Sequence, residues 1–275
     1  MSALRDLLAP SRLTHVVDVG AKAGHGNPPY ATLMAQGECH VTGFEPQPHA
    51  LADLLAKCGP NENYLPYAVG DGGEHTLNLC RSDGMTSLLT PIPENLGLLG
   101  NLGLCAEVVQ RVPVQTQRLD DIPEIEHLDF LKIDIQGGEL AVFQNGRQKL
   151  AECVAIQTEV SFAPGYEGQP SMGDIDVELR SQGFIPHCFA EIHKQPILPV
   201  RRPCNQIFDA DLVYVRDFFR PDEMTDEQLK HLALVAHHCY KSFDLAIRCV
   251  QLLEERGAVE VGTLRRYTEA PIGVR

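Results

Sequence analysis

The sequence predicts an α/β protein: a doubly wound, mostly parallel sheet of seven strands, followed by a C-terminal helical hairpin. Three observations predict it. Short apolar runs alternate with helix-like segments from Thr14 to about Val215, which is the pattern of βα units feeding a sheet covered on both faces. The first run, Val16-Val17-Asp18-Val19, leads straight into the glycine-rich turn Gly20-Ala21-Lys22-Ala23-Gly24-His25-Gly26. After Pro221 the apolar residues change to helical spacing. The chain therefore divides into a domain over residues 1–220 and a helical extension over residues 221–275.

The strands expected are Thr14–Val19, Cys39–Phe44, Asn63–Val69, Phe130–Ile135, Val154–Glu159, Phe184–Phe189 and Leu212–Val215. Between Gly70 and Asp129 the chain is too long for a plain crossover helix. It carries a hairpin around His75–Leu79 and Val108–Thr116, and Gly84, Pro91, Pro93, Gly97, Gly100 and Gly103 mark an inserted loop region near a binding site. In the extension, Thr225-Asp-Glu-Gln228 is a capping box that starts a helix. That helix places Leu229, Leu232, Val235, Ala236, Cys239 and Tyr240 on one stripe, and a second places Leu245, Ala246, Cys249, Val250, Leu252 and Leu253 on another before Gly257. Such stripes either pack back on the domain or form a dimer or partner contact, so the extension is expected to serve stability or association rather than chemistry. The tail from Ala258 to Arg275 shows little pattern.

Composition narrows the partners. With 23 Lys+Arg against 37 Asp+Glu the formal charge is −14, and no basic run interrupts it, which argues against nucleic acid and anionic membrane surfaces. Nine cysteines are scattered without a C-x-x-C pair, so neither a zinc site nor a disulfide framework is expected. Arg5, Asp6 and Arg12 break up the N-terminal leucines, unlike a secretory signal, and no run approaches the ~20 apolar residues of a membrane span. The expectation is a cytoplasmic protein acting on a small molecule, with a homodimer through the C-terminal helices as one arrangement.

The turn after the first strand lies where ligands of open α/β sheets bind. A dinucleotide fingerprint begun at Gly20 would need glycines at the positions of Lys22 and His25, so an NAD-dependent oxidoreductase is disfavoured. Asp18, two places before Gly20, fits the form D-x-G-x-G-x-G instead, with Lys22 in the middle glycine's place. A carboxylate there can receive an ammonium. Glu45, in Val41-Thr-Gly-Phe-Glu45-Pro46 at the end of the second strand, can accept from both hydroxyls of a ribose.

These segments, with Ala68-Val-Gly-Asp71, Leu119-Asp-Asp121 and Phe130-Leu-Lys-Ile-Asp-Ile-Gln-Gly-Gly-Glu139, resemble the successive motifs of the FkbM-type methyltransferases over about residues 14 to 215. The block with Lys132, Asp134, Gly137 and Glu139 is similar to that family's K-x-D-x-E-G-x-E stretch. This chain differs at Gln136, where the family tends to have glutamate, and at Lys22. The resemblance implies a Rossmann-like class I methyltransferase fold, S-adenosyl-L-methionine as cofactor, and transfer to a hydroxyl of a sugar, glycolipid or secondary metabolite. It places Asp18, Gly20, Ala21 and Gly24 on the methionine side, Glu45 on the ribose, Val69, Gly70 and Asp71 on the adenine side, and Asp134 beside the sulfonium, while Lys22, in a glycine's place in that turn, is expected near the cofactor's carboxylate.

Methylation of a hydroxyl requires a group to take its proton. Asp134 and Glu159 are the candidates at strand ends, with His187 and His193 behind them. Ser87 and the loop from Glu159 to Met172, with Phe162 and Tyr166, are expected on the acceptor side. A catalytically idle domain acting as an interaction module is the alternative from a different class.

Overall fold

The computed structural model of the protein describes residues 3–22, 27–200 and 202–269. The first two strands form as β1 (Thr14–Val19) and β2 (Cys39–Phe44). The expected third strand divides into β3 (Glu62–Leu65) and β4 (Ala68–Gly70), because Pro66 between them has no N–H to extend the ladder. β4 leaves the main sheet and pairs with β6 (Val108–Arg118), which is antiparallel to β5 (Glu74–Cys80), giving a separate three-stranded sheet. The main sheet is completed by β7 (Phe130–Ile133), β8 (Ala155–Ser161), β9 (Phe184–Gln195) and β10 (Gln206–Arg216), in the order β3-β2-β1-β7-β8-β10-β9. β1, β2, β3, β7 and β8 are parallel, and β10 runs antiparallel between β8 and β9. β9 and β10 extend beyond the apolar runs read as Phe184–Phe189 and Leu212–Val215, because their pairing continues through residues of mixed polarity from Glu191 to Gln195 and Gln206 to Asp211.

Helices cover both faces: α1 (Ala3–Leu8), α2 (Ala31–Gln36), α3 (Pro48–Leu55), α4 (Pro93–Leu96), α5 (Leu102–Cys105), α6 (Glu139–Gln144), α7 (Arg147–Leu150), α8 (Met172–Ser181), α9 (Asp226–Tyr240), α10 (Phe243–Glu255) and α11 (Thr263–Glu269). Alternate strand residues sort the sheet's apolar side chains onto the two faces. Val17, Val19, Leu131, Ile133, Ile156 and Leu212 meet α6, α7 and α8, while Val16, Phe130, Ala155, Val213 and Val215 meet α1, α2, α9 and α10.

The extension is thus a layer of the domain itself. Thr225 caps α9 through the expected box with Gln228. The helix is buried beyond the stripe read from the sequence, since His231, Ala233 and Leu234 are buried as well: one side lies on the sheet and another under α10. The faces expected to be available for a dimer are consumed within the chain. The tail, where little pattern was visible, forms α11, with Tyr267 only 3% exposed and its hydroxyl 2.8 Å from His237 Nδ1.

Two measurements test this packing. Leu232, fully buried between sheet and α10, should cost about 2–5 kcal/mol in urea unfolding when replaced by alanine. Truncation after Phe219 should give an aggregating or molten chain by near-UV circular dichroism and size exclusion, and a monomeric, cooperatively melting truncation would contradict the shared core.

Candidate active site

On the face beneath α9, register aligns the strands in rows. Val16, Phe130, Ala155 and Val215 form one row, and two residues further along their strands stand Asp18, Lys132 and Gln157. The next row brings Asp134, Glu159 and Asp211 together with Glu191 of β9, and beyond it Asp209 stands opposite His193. Apolar side chains thus give way to charged ones at one level of the sheet. α9 ends at that level: Tyr240 donates from its hydroxyl to Gln157 Oε1 at 3.0 Å, and Lys241 closes the helix in a left-handed conformation. The space left above is a cavity of about 970 Å³, large enough for a cofactor and a second small molecule.

Asp18 is 4% exposed. Its Oδ2 accepts from the Tyr30 hydroxyl at 2.6 Å, and Lys132 Nζ stands 3.3 Å from Oδ1, which has no hydrogen-bond partner. Burial pulls the Lys132 ammonium down, but Asp18 and Asp134 outweigh it and hold it above its ordinary value. A lysine in the middle of an apolar strand demands such partners, so Phe130-Leu-Lys132-Ile already carried the signal for this pair.

Gly20 has φ +80°, and a Cβ on it would lie 2.1 Å from the Asp134 carbonyl oxygen. No other residue type fits there. Ala21, Lys22, Glu45, Val69, Asp134 and Glu159 all line the cavity with Asp18 and Gly20. Glu45 is 5% exposed, and its Oε1 accepts from the Gln47 N–H at 2.7 Å. Burial raises its pKa, against the pull of the Gln47 N–H, Lys22 and His49. Lys22 Nζ stands 4.0 Å from Asp83, a residue of the inserted region that the sequence reading missed. Gly24 lies outside the described residues.

Gly70 and Asp71 are not brought to the cavity. Once β4 has left the main sheet, Gly70 pairs with Arg118 of β6, and Asp71 accepts from the Gly73 N–H at 2.8 Å and bonds His75 at 2.7 Å. His75 and Gly73 hold that carboxyl below its usual range.

Asp134 Oδ1 and Glu159 Oε2 each accept from Gln136 Nε2, at 2.9 and 2.8 Å. Burial, Asp134, Asp209 and Glu139 push Glu159 well up. His193 lines the cavity with Nδ1 on Asp209 and Nε2 3.2 Å from Glu191. Burial lowers this imidazole, but Asp209 and Glu191 outweigh it. His187 instead bonds Ser242 at 2.8 Å, away from the cavity. Ser87 Oγ donates to the Gln136 carbonyl at 2.7 Å, and Tyr166 is buried against Met85 rather than facing an acceptor. The sequence reading did not single out Tyr30, Asp211 or Glu191 and gave Tyr240 only a place on an apolar stripe, because only tertiary folding brings them here.

The Asp18 carboxylate, the side-chain-free approach at Gly20 and the buried Glu45 carboxylate fit a ligand with an ammonium at one end and a ribose at the other. The order of the sheet is that of a Rossmann-like class I methyltransferase fold. Residues 18–186 match the methyltransferase FkbM domain, and the chain belongs to that family. Among solved structures it is similar to a Synechocystis magnesium protoporphyrin IX methyltransferase with bound S-adenosylmethionine, at 13% identity over 78% of this chain and 76% of that one, TM-score 0.39. A 23S rRNA methyltransferase aligns at 12% identity over 97% of this chain and 95% of that one, TM-score 0.35. Likenesses this distant add nothing to the family match.

Replacing Glu45 by glutamine should weaken S-adenosylhomocysteine roughly ten- to hundredfold in calorimetric titration, the worth of a charge-assisted hydrogen-bond pair. A folded Glu45→Gln protein with unchanged affinity would remove Glu45 from the site.

Proposed function

We propose that the chain methylates a hydroxyl oxygen of a sugar, glycolipid or secondary metabolite. The observation that carries this reading is Glu159: a half-buried carboxylate on the cavity wall, one oxygen held by Gln136, its proton affinity raised by desolvation and neighbouring acids. A carboxylate of raised pKa is suited to take a hydroxyl's proton near neutral pH.

When bound, S-adenosylmethionine supplies a methyl group activated by its sulfonium for in-line displacement. The chain's residues do the rest. Asp18 and Asp134 receive the ammonium, Glu45 the ribose hydroxyls, and Gly20 and Ala21 let the backbone come close. Glu159 orients the acceptor hydroxyl and accepts its proton, and the walls from β8, β9 and β10 keep bulk water from the reacting atoms. Among the described residues, the cavity lining carries eight Asp and Glu against three lysines. That balance supports a neutral or cationic acceptor over a phosphorylated one or a nucleic acid, whose phosphates it would repel. No described helix is long and apolar enough to cross a membrane.

The test is transfer of tritiated methyl from labelled S-adenosylmethionine to fractionated neutral and charged metabolites. Label should appear in a base-stable ether of a neutral or cationic compound, and label only in phosphorylated compounds or RNA would reject the reading. Glu159→Gln should then lower turnover by about 10² to 10⁴-fold while S-adenosylhomocysteine affinity stays within a few-fold. Undiminished turnover would move the base elsewhere.

A further inference from the structure

Gln136 stands between the two carboxylates on which the site depends. Both hydrogens of its amide are used, one on Asp134 Oδ1 and one on Glu159 Oε2. Its Oε1 accepts from the Tyr166 hydroxyl at 3.1 Å, and the reversed amide would set a carbonyl oxygen against two carboxylates. The backbone is held as firmly. Gln136 has φ +57°, a region that residues with side chains rarely enter. Ser87 donates to its carbonyl, and the Glu139 carboxylate accepts from the N–H groups of Ile135 and Gly137 on either side, both at 2.9 Å. Backbone strain maintained by so many partners marks a position built for its side chain.

We propose that Gln136 is the positioning residue of the site: by giving one N–H to each carboxylate it holds Asp134 toward the cofactor's ammonium and Glu159 toward the acceptor's hydroxyl, and prevents the two from sharing a proton. The proposal rests on the cofactor reading above. It follows from the shape of the contacts, since each carboxylate gives one oxygen to the amide and both residues line the cavity. Where the family tends to have glutamate, this chain has the amide of the same shape, with two donors in place of an acceptor.

The groups facing the pair are Lys132 and Asp18 from β7 and β1, Glu139 from the start of α6, Asp209 and Asp211 from β10 with Glu191 and His193 opposite them on β9, and Tyr166 from the loop after β8. Burial pushes Glu139 up to about 7, and Glu159 is raised by burial and by these acids while the Gln136 amide pulls it back down. Without such a donor the two adjacent carboxylates repel each other, and Glu159, already raised, keeps its proton to higher pH. An ammonium could then bind only by displacing that proton.

The experiment is calorimetric titration of the full chain with S-adenosylhomocysteine, repeated from about pH 5.5 to about pH 9, the span in which a raised carboxyl such as that of Glu159 titrates. Gln136→Met removes the donors at nearly constant volume. It should move the acid-side decline of affinity up by about one pH unit or more, while affinity at the alkaline end stays within about threefold of the parent's. Glu139 titrates in parent and variant alike, so the difference reports the pair. If Gln136→Met does not fold, Gln136→Glu keeps the shape, adds a third carboxylate and should shift the decline the same way. Profiles lowered equally at every pH in a folded variant would overturn the inference alone and leave Gln136 a structural residue. A parent that binds no S-adenosylhomocysteine at any pH would overturn the cofactor reading, and this inference with it.

Discussion

Under α9, the row Val16, Phe130, Ala155 and Val215 can be covered by a helix, because only apolar area is removed from water. The row above it, with Asp18, Lys132 and Gln157, cannot be covered by apolar side chains without stranding buried charges, each costing several kcal/mol unless paired. Asp18 and Lys132 pair with each other, Tyr30 reaches Asp18, and Tyr240 spends its one hydroxyl on Gln157. The helix stops there, and Lys241 in its left-handed cap turns the chain away. The cavity exists because a charged row follows an apolar one in the same register. Its floor is the end of α9, and its walls are whatever each strand places two and four residues further along.

That constraint explains why the site extends beyond the family's own motifs. The matched region ends at residue 186, and within it lie Asp18, Gly20, Glu45, Asp134 and Glu159, which line the cavity. Glu191, His193, Asp211 and Tyr240 lie after it, yet they line the same cavity. The last two strands and α9 therefore have two tasks that cannot be separated by cutting the chain. They close the hydrophobic layer on one half of the sheet face and supply the acidic wall on the other half.

Strand ends were the part of the site that could be read from the sequence. In a parallel sheet the chain direction tells which end faces the ligand, so Asp18, Glu45 and Asp134 could be placed from local pattern alone, and Glu159 from its position late in an apolar run. Asp71 could not. Its reading assumed one unbroken strand from Asn63 to Val69, and Pro66 breaks that strand and sends β4 to a second sheet. Asp211 and Glu191 were hidden for another reason. They belong to an antiparallel hairpin inserted out of sequence order, and pairing across it depends on register shifts that no local pattern reveals. Both C-terminal helices and the capping box were legible from their period, but a period of 3.6 reports that a face is apolar and not what covers it.

A crystal structure of the protein grown with S-adenosylhomocysteine tests the central claim most directly, namely that the charged rows above α9 form the cofactor and reaction site. The account predicts the amino-acid portion with its ammonium on Asp18, both ribose hydroxyls on the Glu45 carboxylate, and the sulfur turned toward Asp134 with Glu159 open beyond it. Density for the ligand elsewhere, or in the cavity with its ribose away from Glu45, would contradict it.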